Sequence, residues 1–405
     1  MLFTSLALVL AYALSEGICY LAQPLLGRLA NLDLSPTSRI YERQRAAILE
    51  KMRSDRTNIV FDAETGWRYR ANFRSTQQNS NSLGLRGTRE YAPEPSPHVL
   101  RIAAFGDSFV YGNEVKDDET WAAQIESSTG IEVLNAGVGG YGTDQAYLLY
   151  RRFGPAYNAR IVLIGFTTVQ LPRNVIVYRR FYAPADLMFV KPRFHLSSSG
   201  DLELLASPVR SSDDYWKYYR DPSAIRELGK HDFWYVPLVY DNPLYDYSPM
   251  VRVASQLVTR AHRKLSPRTN VVDHGQLNPN SEPFEITVKL LRRFADEVKK
   301  NKSLPVILLL PDASRLGADG RENPFLYEPL IAELRSAQLE YLDLATAFDR
   351  PVTRSSHFME GGHYSPYANG RVAKAIAAYL TERELLPSTA ALSPRSVVRS
   401  SQGGR

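Results

Sequence analysis

Between residues 99 and 380 the chain alternates short apolar segments with amphipathic ones, and this alternation limits the fold more than any other sequence feature. The apolar segments at 161–166 and 305–310 have no polar face, which is typical of strands buried on both sides. Repeated strand–helix alternation indicates a parallel sheet covered by helices. We therefore predict an α/β fold, a three-layer α/β/α sandwich with a mostly parallel sheet. The predicted strands are 99–105, 131–134, 161–166, 305–310 and 340–344, and the predicted helices are 119–127, 144–153, 284–299, 327–337 and 366–380.

The N-terminal segment, residues 1–26, is apolar apart from Glu16. Such a segment is either a transmembrane helix or a cleaved signal peptide. It lacks a basic start and a small-residue cleavage site, which favours an uncleaved anchor. Arginines follow the segment, and the positive-inside rule would place them in the cytoplasm. Both the orientation and the choice between anchor and signal stay open on these residues alone.

Composition excludes several classes of function. The chain has 405 residues, 49 Lys and Arg against 43 Asp and Glu, and a formal net charge of +6 that is spread along its length. A surplus this small does not indicate a nucleic-acid partner. The single cysteine, Cys19, excludes an intramolecular disulfide and a cysteine-based metal site. We expect no metal and no cofactor.

Four regions are predicted along the chain. Residues 1–26 form the anchor or signal, 27–98 a juxtamembrane helix and linker, 99–385 the α/β domain, and 386–405 a disordered tail rich in Ser, Arg and Gly. Within the α/β domain, residues 171–282 are an insertion with many Tyr, Trp and Phe residues. These rings either pack a cap onto the sheet or line a cleft in which sugar rings stack.

Ser108 follows the first predicted strand, in the sequence Phe-Gly-Asp-Ser-Phe. A residue in that place lies at the carboxyl edge of the sheet, where open α/β folds bind ligands. Its hydroxyl would be a nucleophile, and its own backbone N–H would point to the same space as an oxyanion donor. The alternative is that Ser108 only caps the helix that follows.

His363 precedes the last predicted helix, in the sequence Glu-Gly-Gly-His-Tyr-Ser-Pro. From that loop an imidazole can reach the same sheet edge and take the proton of Ser108. Glu360, three residues earlier, would hold the imidazole tautomer as the third member of a triad. His357 is the rival base.

A glycine-rich turn, residues 135–143, follows the second predicted strand. Its glycines let backbone N–H groups approach a reacting oxygen. The turn also fits the dinucleotide-binding pattern G-x-G-x-x-G at Gly137, Gly139 and Gly142. That interpretation is disfavoured because the turn does not follow the first strand, and because no acidic residue ends the next strand to bind a ribose.

Together, GDSF at Ser108, NAGVGG ending at Gly140 and GGHYSP at His363 resemble the SGNH (GDSL-like) hydrolase family, over about residues 101–380. The resemblance implies that Ser108 is the nucleophile and His363 the base. It also implies that the backbone N–H groups of Ser108 and Gly140 bind the oxyanion. The apolar N-terminus is similar to that of a subgroup linked to bacterial surface polysaccharides, whose acyl esters such enzymes remove or transfer.

The chain departs from the family pattern at two positions. The family's Asp three residues before the histidine is Glu360 here. The Asn that offers an amide to the oxyanion after the third strand aligns with Gln170, and Asn174 is the downstream alternative. We expect the Gln170 amide to take this role. These departures leave a catalytically silent chain as an alternative.

From these features we expect a serine esterase or deacylase that acts on O-acyl esters of a surface carbohydrate. The alternatives are an O-acyltransferase with the same triad and a silent, membrane-tethered glycan-binding module. The acylated carbohydrate and the membrane are the expected partners, and the sequence predicts no particular protein partner. Since glycan-modifying relatives act outside the cytoplasmic membrane, we expect a single-pass protein with a periplasmic or otherwise extracytoplasmic catalytic domain.

Overall fold

The computed structural model describes residues 2–30, 32–53, 58–183, 189–318, 320 and 322–386. The tail that we predict to be disordered lies outside the described residues, apart from Leu386. In chain order the strands are β1 (Ile59–Asp62), β2 (Gly66–Tyr69), β3 (Arg101–Gly106), β4 (Glu132–Gly137), β5 (Ile161–Phe166), β6 (Arg193–Leu196), β7 (Leu202–Leu205), β8 (Val272–Asp273), β9 (Gln276–Leu277), β10 (Leu304–Leu309) and β11 (Tyr341–Asp343).

The helices are α1 (Leu2–Ala30), α2 (Thr37–Arg53), α3 (Ser108–Tyr111), α4 (Trp121–Thr129), α5 (Thr143–Phe153), α6 (Gln170–Arg173), α7 (Arg179–Tyr182), α8 (Tyr215–Arg220), α9 (Pro222–Gly229), α10 (Pro237–Tyr240), α11 (Pro249–Leu265), α12 (Glu282–Lys300), α13 (Glu328–Ser336), α14 (Arg354–His357) and α15 (Pro366–Glu382). Short 3₁₀ turns lie at Asp117–Glu119, Gly154–Tyr157, Ser212–Asp214, Pro243–Tyr245 and Leu344–Ala347.

Five strands form one parallel sheet in the order β11-β10-β5-β3-β4. Alternate residues of β3 enter two separate cores: Ala103 and Phe105 pack with α5, α12 and α13, whereas Ile102 and Ala104 pack with α4 and α15. This division follows from the twofold period of a strand. The predicted three-layer α/β/α sandwich is confirmed.

The turn from β3 into α3 brings Ser108 to the carboxyl edge of the sheet. Asp107 caps α3, since its carboxylate accepts a hydrogen bond of 3.0 Å from the Phe109 N–H. A Cβ atom at Gly137, the last residue of β4, would lie 2.3 Å from the Tyr111 nitrogen. Glycine at this position therefore lets α3 lie directly against the end of β4.

Helix α1 runs four residues beyond the predicted segment. From Phe3 to Ala30 it is long and apolar enough to cross a membrane, with a mean hydropathy of 1.6 and none of its most apolar window buried. A signal sequence near an N-terminus meets the same criterion.

The region that the sequence suggests is a linker contains the β1–β2 hairpin, which packs into the domain. Trp67 is completely buried and stacks on Phe189 of the insertion with ring centroids 5.0 Å apart. Tyr69 is also buried and stacks on Tyr111 at 4.1 Å. This hairpin is therefore part of the folded domain. The sequence did not indicate this, because the strands are short and the residues around them are polar.

The insertion contributes β6 to β9 and α7 to α11, and most of its rings join the core on one face of the sheet. The ring environments favour the interpretation that they pack a cap. A fully buried ion pair between Lys191 of the insertion and Asp144 of α5 fastens it to the sheet domain. Completely or nearly buried rings include Tyr178, Phe181, Phe189, Phe194, Tyr215, Tyr218, Trp234, Tyr240 and Tyr245.

Candidate active site

Ser108 and His363 are in hydrogen-bond contact, although 255 residues separate them in sequence. Ser108 Oγ lies 2.8 Å from His363 Nε2. Ser108 begins α3 after β3, and His363 lies in the loop that leads into α15. The ring of Phe109 packs beside the imidazole with centroids 5.3 Å apart. The two elements thus place a hydroxyl and an imidazole at the same edge of the sheet.

The other imidazole nitrogen contacts Glu114, which the sequence analysis did not single out. His363 Nδ1 lies 2.5 Å from Glu114 Oε2. The same carboxylate accepts hydrogen bonds from the backbone N–H groups of Gly361, at 2.7 Å, and of His363, at 3.2 Å. An acceptor at Nδ1 places the ring proton there and leaves Nε2 to accept the proton of Ser108.

The Glu114 carboxyl is held in its ionised form. Partial burial alone would raise its pKa, but the hydrogen bonds from the His363 ring and from the two backbone N–H groups outweigh burial and hold the pKa of Glu114 below its usual value. Glu114 also has a φ of +69°, in the left-handed region that non-glycine residues rarely adopt. Backbone strain of this kind concentrates at functional sites.

Glu360, the carboxylate expected beside the imidazole, does not contact His363, and Glu114 takes that place. The chain turns tightly between the two residues: Met359 N donates to His363 O at 2.7 Å, and Gly362 N donates to Met359 O at 3.0 Å. Glu360 therefore lies exposed at the tip of the turn. A Cβ at Gly361 would lie 2.6 Å from Glu114 Oε1, so the glycine leaves room for the carboxylate.

His357, the rival base, lies apart from the serine. It is 4% exposed, and its Nδ1 contacts Ser356 Oγ at 2.7 Å. Its ring packs against Phe348 and Tyr367. The structure therefore joins Ser108 to His363 and gives His357 a packing role.

The turn that contains Gly140 is held from three sides. The Gly139 carbonyl accepts a hydrogen bond of 2.9 Å from the Trp67 indole, and the Gly139 N–H donates to the Tyr69 hydroxyl at 3.3 Å. The Gly140 carbonyl accepts a hydrogen bond from the Arg179 guanidinium. Within the described ranges the backbone N–H groups of Gly140 and Ser108 have no acceptor, so both are available to an oxyanion.

Gln170, the residue expected to offer an amide to the oxyanion, is engaged elsewhere. Its side chain is completely buried, its Oε1 accepts from the Thr143 hydroxyl at 2.9 Å, and its Nε2 donates to the Gly165 carbonyl at 3.0 Å. The extra methylene relative to Asn lets the amide reach back to β5. These bonds correct the expectation, since they give Gln170 a structural role.

Asn174, the alternative to Gln170, is also buried and bonded. Its Nδ2 donates to Thr287 Oγ1 at 2.7 Å, and its Oδ1 accepts from Asp144 N at 3.2 Å. It links α5 to α12. The two backbone N–H groups therefore remain as the visible oxyanion donors.

Asp107, next to Ser108, holds the start of α3 in place. It is completely buried, and its Oδ2 accepts from the Thr167 hydroxyl at 2.7 Å while Arg173 Nη1 lies 3.8 Å away. These contacts tie the start of α3 to the end of β5. No cluster of three or more His, Cys, Asp or Glu side chains suited to a metal ion occurs in the part of the chain that the structure describes.

The sequence did not indicate four residues that contact the site or its glycine turn: Trp67, Tyr69, Glu114 and Arg179. Glu114 follows Ser108 by six residues, but nothing in that spacing indicates that its carboxylate meets a histidine near the other end of the chain. Tyr69 and Trp67 lie in the predicted linker, and Arg179 lies in the insertion. Each acts through a long-range contact that has no periodic signature.

No protein-family model and no curated protein matches the chain. In structure it is similar to a member of the lipolytic G-D-S-L family from Veillonella parvula, at 12% identity and a TM-score of 0.34 over 70% of this chain and 99% of that one. It is also similar to a lipase/acylhydrolase from Enterococcus faecalis, at 12% identity and a TM-score of 0.35 over 70% and 97%. An acetyl xylan esterase gives 9% identity and a TM-score of 0.36 over 69% and 100%. With TM-scores below 0.5, these similarities do not establish an activity for this chain.

Proposed function

We propose that this protein is a serine hydrolase of the SGNH type that cleaves O-acyl esters. The observation that carries the proposal is the continuous hydrogen-bonded row of Ser108 Oγ, the His363 imidazole and the Glu114 carboxylate, with contacts of 2.8 and 2.5 Å. A hydroxyl, a neutral imidazole and an ionised carboxylate in this order form the arrangement that activates a serine.

In the acylation step, Ser108 Oγ attacks the carbonyl carbon of the ester while His363 Nε2 takes the hydroxyl proton. The oxyanion that forms accepts hydrogen bonds from the backbone N–H groups of Ser108 and Gly140. When the tetrahedral intermediate collapses, the bond to the alcohol oxygen breaks and His363 returns the proton to that alcohol. Glu114 keeps the Nδ1 proton in place and stabilises the imidazolium during the step.

In the second step, a water molecule gives a proton to His363 Nε2 and attacks the acyl group on Ser108. The carboxylic acid leaves, and Ser108 regains its proton. If a sugar hydroxyl attacks in place of water, the same residues carry out acyl transfer. The acyl-enzyme half-reaction is common to both outcomes.

We propose an acylated surface carbohydrate as the substrate and a site outside the cytoplasmic membrane. Two sequence features support this proposal: the apolar N-terminal helix and the resemblance to the membrane-associated subgroup. α1 would tether the domain to the membrane whose surface glycan it modifies.

The test of the chemistry is labelling with a fluorophosphonate, followed by ester cleavage. Wild-type protein should be labelled and should cleave p-nitrophenyl acetate. Ser108→Ala should abolish both while the circular dichroism spectrum is kept, because one oxygen is lost and no cavity opens. Ser128→Ala, which removes a hydroxyl from the surface of α4, is the matched control and should behave as wild type. Ester turnover by Ser108→Ala would remove Ser108 from the mechanism, and an unlabelled wild type would favour a silent glycan-binding module.

A second measurement separates the hydrolase from the transferase. The protein is given an acetyl ester donor with and without a non-acetylated polysaccharide, and free acetate and acetylated glycan are both quantified. A hydrolase releases all the acetate in both samples. Accumulation of acetylated glycan at the expense of acetate would assign the transferase.

A further inference from the structure

One face of α11 is apolar and exposed. Ala254, Leu257, Val258, Ala261 and Leu265 follow one another at the spacing that places them on a single side of a helix. Leu257 is 48% exposed, Val258 56% and Leu265 80%. Amphipathic helices normally turn such a face towards a core. We call these five residues the α11 stripe.

Apolar side chains in the segment before α11 are exposed as well. Leu244 is 60% exposed and Tyr247 84%, and both precede the first residue of the helix by a few positions. Leu238 of α10 is exposed as well. Contiguous apolar surface that stays exposed marks an interaction site.

Helix α11 lies along the second half of α1, in the same direction. Near the start of α11, Met250 N donates to Glu16 Oε2 at 3.0 Å, and the Ser248 hydroxyl bonds to the same carboxylate. Near its end, the Arg260 guanidinium donates to the Ala30 carbonyl. The α11 stripe is therefore fixed next to the helix that is long and apolar enough to enter a membrane.

Cations and aromatic rings gather where α1 ends. Arg260, Arg263 and Lys264 line an open cavity of about 530 Å³ together with Trp234 and Tyr182, and Ala30 borders it. Arg263 stacks on the ring of Trp234. Lys and Arg beside Trp and Tyr are the residues that occupy the headgroup level of a bilayer.

We propose that the α11 stripe contacts the acyl chains of an anionic bilayer alongside α1, with the cations of this cavity at the level of the lipid phosphates. Apolar side chains beside a membrane-spanning helix meet the acyl chains, and Lys and Arg at the end of that helix lie at the level of the anionic headgroups. The inference rests on α1 being kept as the membrane anchor of the proposed function. Continuity with α1 and the basic border favour the bilayer over a second copy of the chain.

The test places a fluorescent label on the α11 stripe of the full-length protein. In a Cys19→Ala background, Val258→Cys carries an environment-sensitive dye, and Leu204→Cys, an exposed apolar position of β7 in the same insertion, is the matched control. Both proteins are reconstituted into vesicles of phosphatidylcholine and phosphatidylglycerol. The two quenchers are doxyl-labelled phosphatidylcholine in the bilayer and iodide in the water.

The dye at Val258 should be quenched severalfold more by the doxyl lipid than the dye at Leu204, and less by iodide. Quenching of both dyes by iodide alone would overturn the proposal. Protection of the Val258 dye from both quenchers would also overturn it, in favour of a second copy of the chain. Co-flotation with the vesicles is measured separately, so loss of the anchor is distinguished from failure of the α11 stripe to dock.

Charge variants test the basic border. Lys264→Glu should shift the docking equilibrium of the Val258 dye by about fivefold or more towards the undocked state in phosphatidylglycerol vesicles, since one cation near an anionic surface contributes about that factor. Lys374→Glu, on the exposed side of α15, is the matched control and should leave it unchanged. Equal quenching in Lys264→Glu and wild type would show that the cations do not hold the α11 stripe on the bilayer.

Discussion

Glu114 Oε2 lies 2.5 Å from His363 Nδ1, although 249 residues separate the two in sequence. Glu114 follows α3, the short helix that begins with Ser108, so one short segment after β3 supplies both the hydroxyl and the carboxylate. The loop before α15 supplies only the imidazole between them. The relative position of two loops at one sheet edge therefore decides the geometry of the whole site.

The two glutamates near His363 should differ sharply in their effect on turnover. Glu114→Gln should lower kcat by about 10³- to 10⁴-fold with little change in KM, because an amide does not stabilise the imidazolium that forms in the transition state. Glu360→Gln is the matched control and should stay within a few-fold of wild type, since its side chain is exposed. Steady-state kinetics with p-nitrophenyl acetate measure both, and the reverse ranking would return the role to Glu360.

The same carboxylate should make part of the stability depend on pH. The pKa of Glu114 is lowered in the folded protein, so its ionised form stabilises the fold above the pKa that the carboxyl has when unfolded. That contribution is lost as the pH falls through the lowered, folded value. Wild type should therefore exceed Glu114→Gln in free energy of unfolding at about pH 7, and the difference should shrink at about pH 3. Urea denaturation at the two pH values checks this, and a difference that grows on acidification would contradict it.

Adding a methyl group at Gly361 should damage the site through Glu114. The new Cβ would lie 2.6 Å from Glu114 Oε1, so the carboxylate must move away from the imidazole. Gly361→Ala should lower kcat towards the value of Glu114→Gln, whereas adding Gly361→Ala to Glu114→Gln should cost little more. Strict additivity in this double-mutant cycle would show that the glycine acts independently of the carboxylate.

Gln170→Ala should reduce stability far more than catalysis. The substitution leaves the Thr143 hydroxyl and the Gly165 carbonyl without their buried partner, at a cost of about 2–5 kcal/mol in free energy of unfolding. The folded fraction should keep kcat within a few-fold of wild type. Thermal denaturation and kinetics on the same preparation measure both quantities. A drop of about 10²-fold in kcat without a loss of stability would show that the amide binds the oxyanion.

Much of the fold could be predicted from the sequence because its signals are local. The strand at Ile161–Phe166 is apolar throughout, as a strand with helices on both faces must be. The structural positions of Ser108 and His363 follow from the same logic, because parallel strands end at one edge and the loops there meet. Helices α12 and α15 could also be predicted from the local sequence, because their apolar residues recur at helical spacing.

The tertiary structure decided which polar groups meet. Two carboxylates lie near the catalytic motifs in sequence. The tight turn at 359–363 leaves Glu360 facing outward. Glu114, whose backbone is in the left-handed region, points its side chain to the imidazole. Gln170 carries the amide that the motif expects, yet the length of its side chain directs it to the Gly165 carbonyl. Trp67 and Tyr69 form hydrogen bonds with Gly139 from a region that the sequence predicts to be a linker.

The sequence by itself determined the α/β/α architecture and the edge at which the chemistry is placed, because hydrophobic period and strand order act over a few residues at a time. Only the folded chain decided which acid holds the imidazole, which amide is structural and which loops support the oxyanion turn. These choices depend on distances of 2.5–3.3 Å between groups far apart in sequence, and hydrogen bonds are too short-ranged and directional for sequence spacing to specify them.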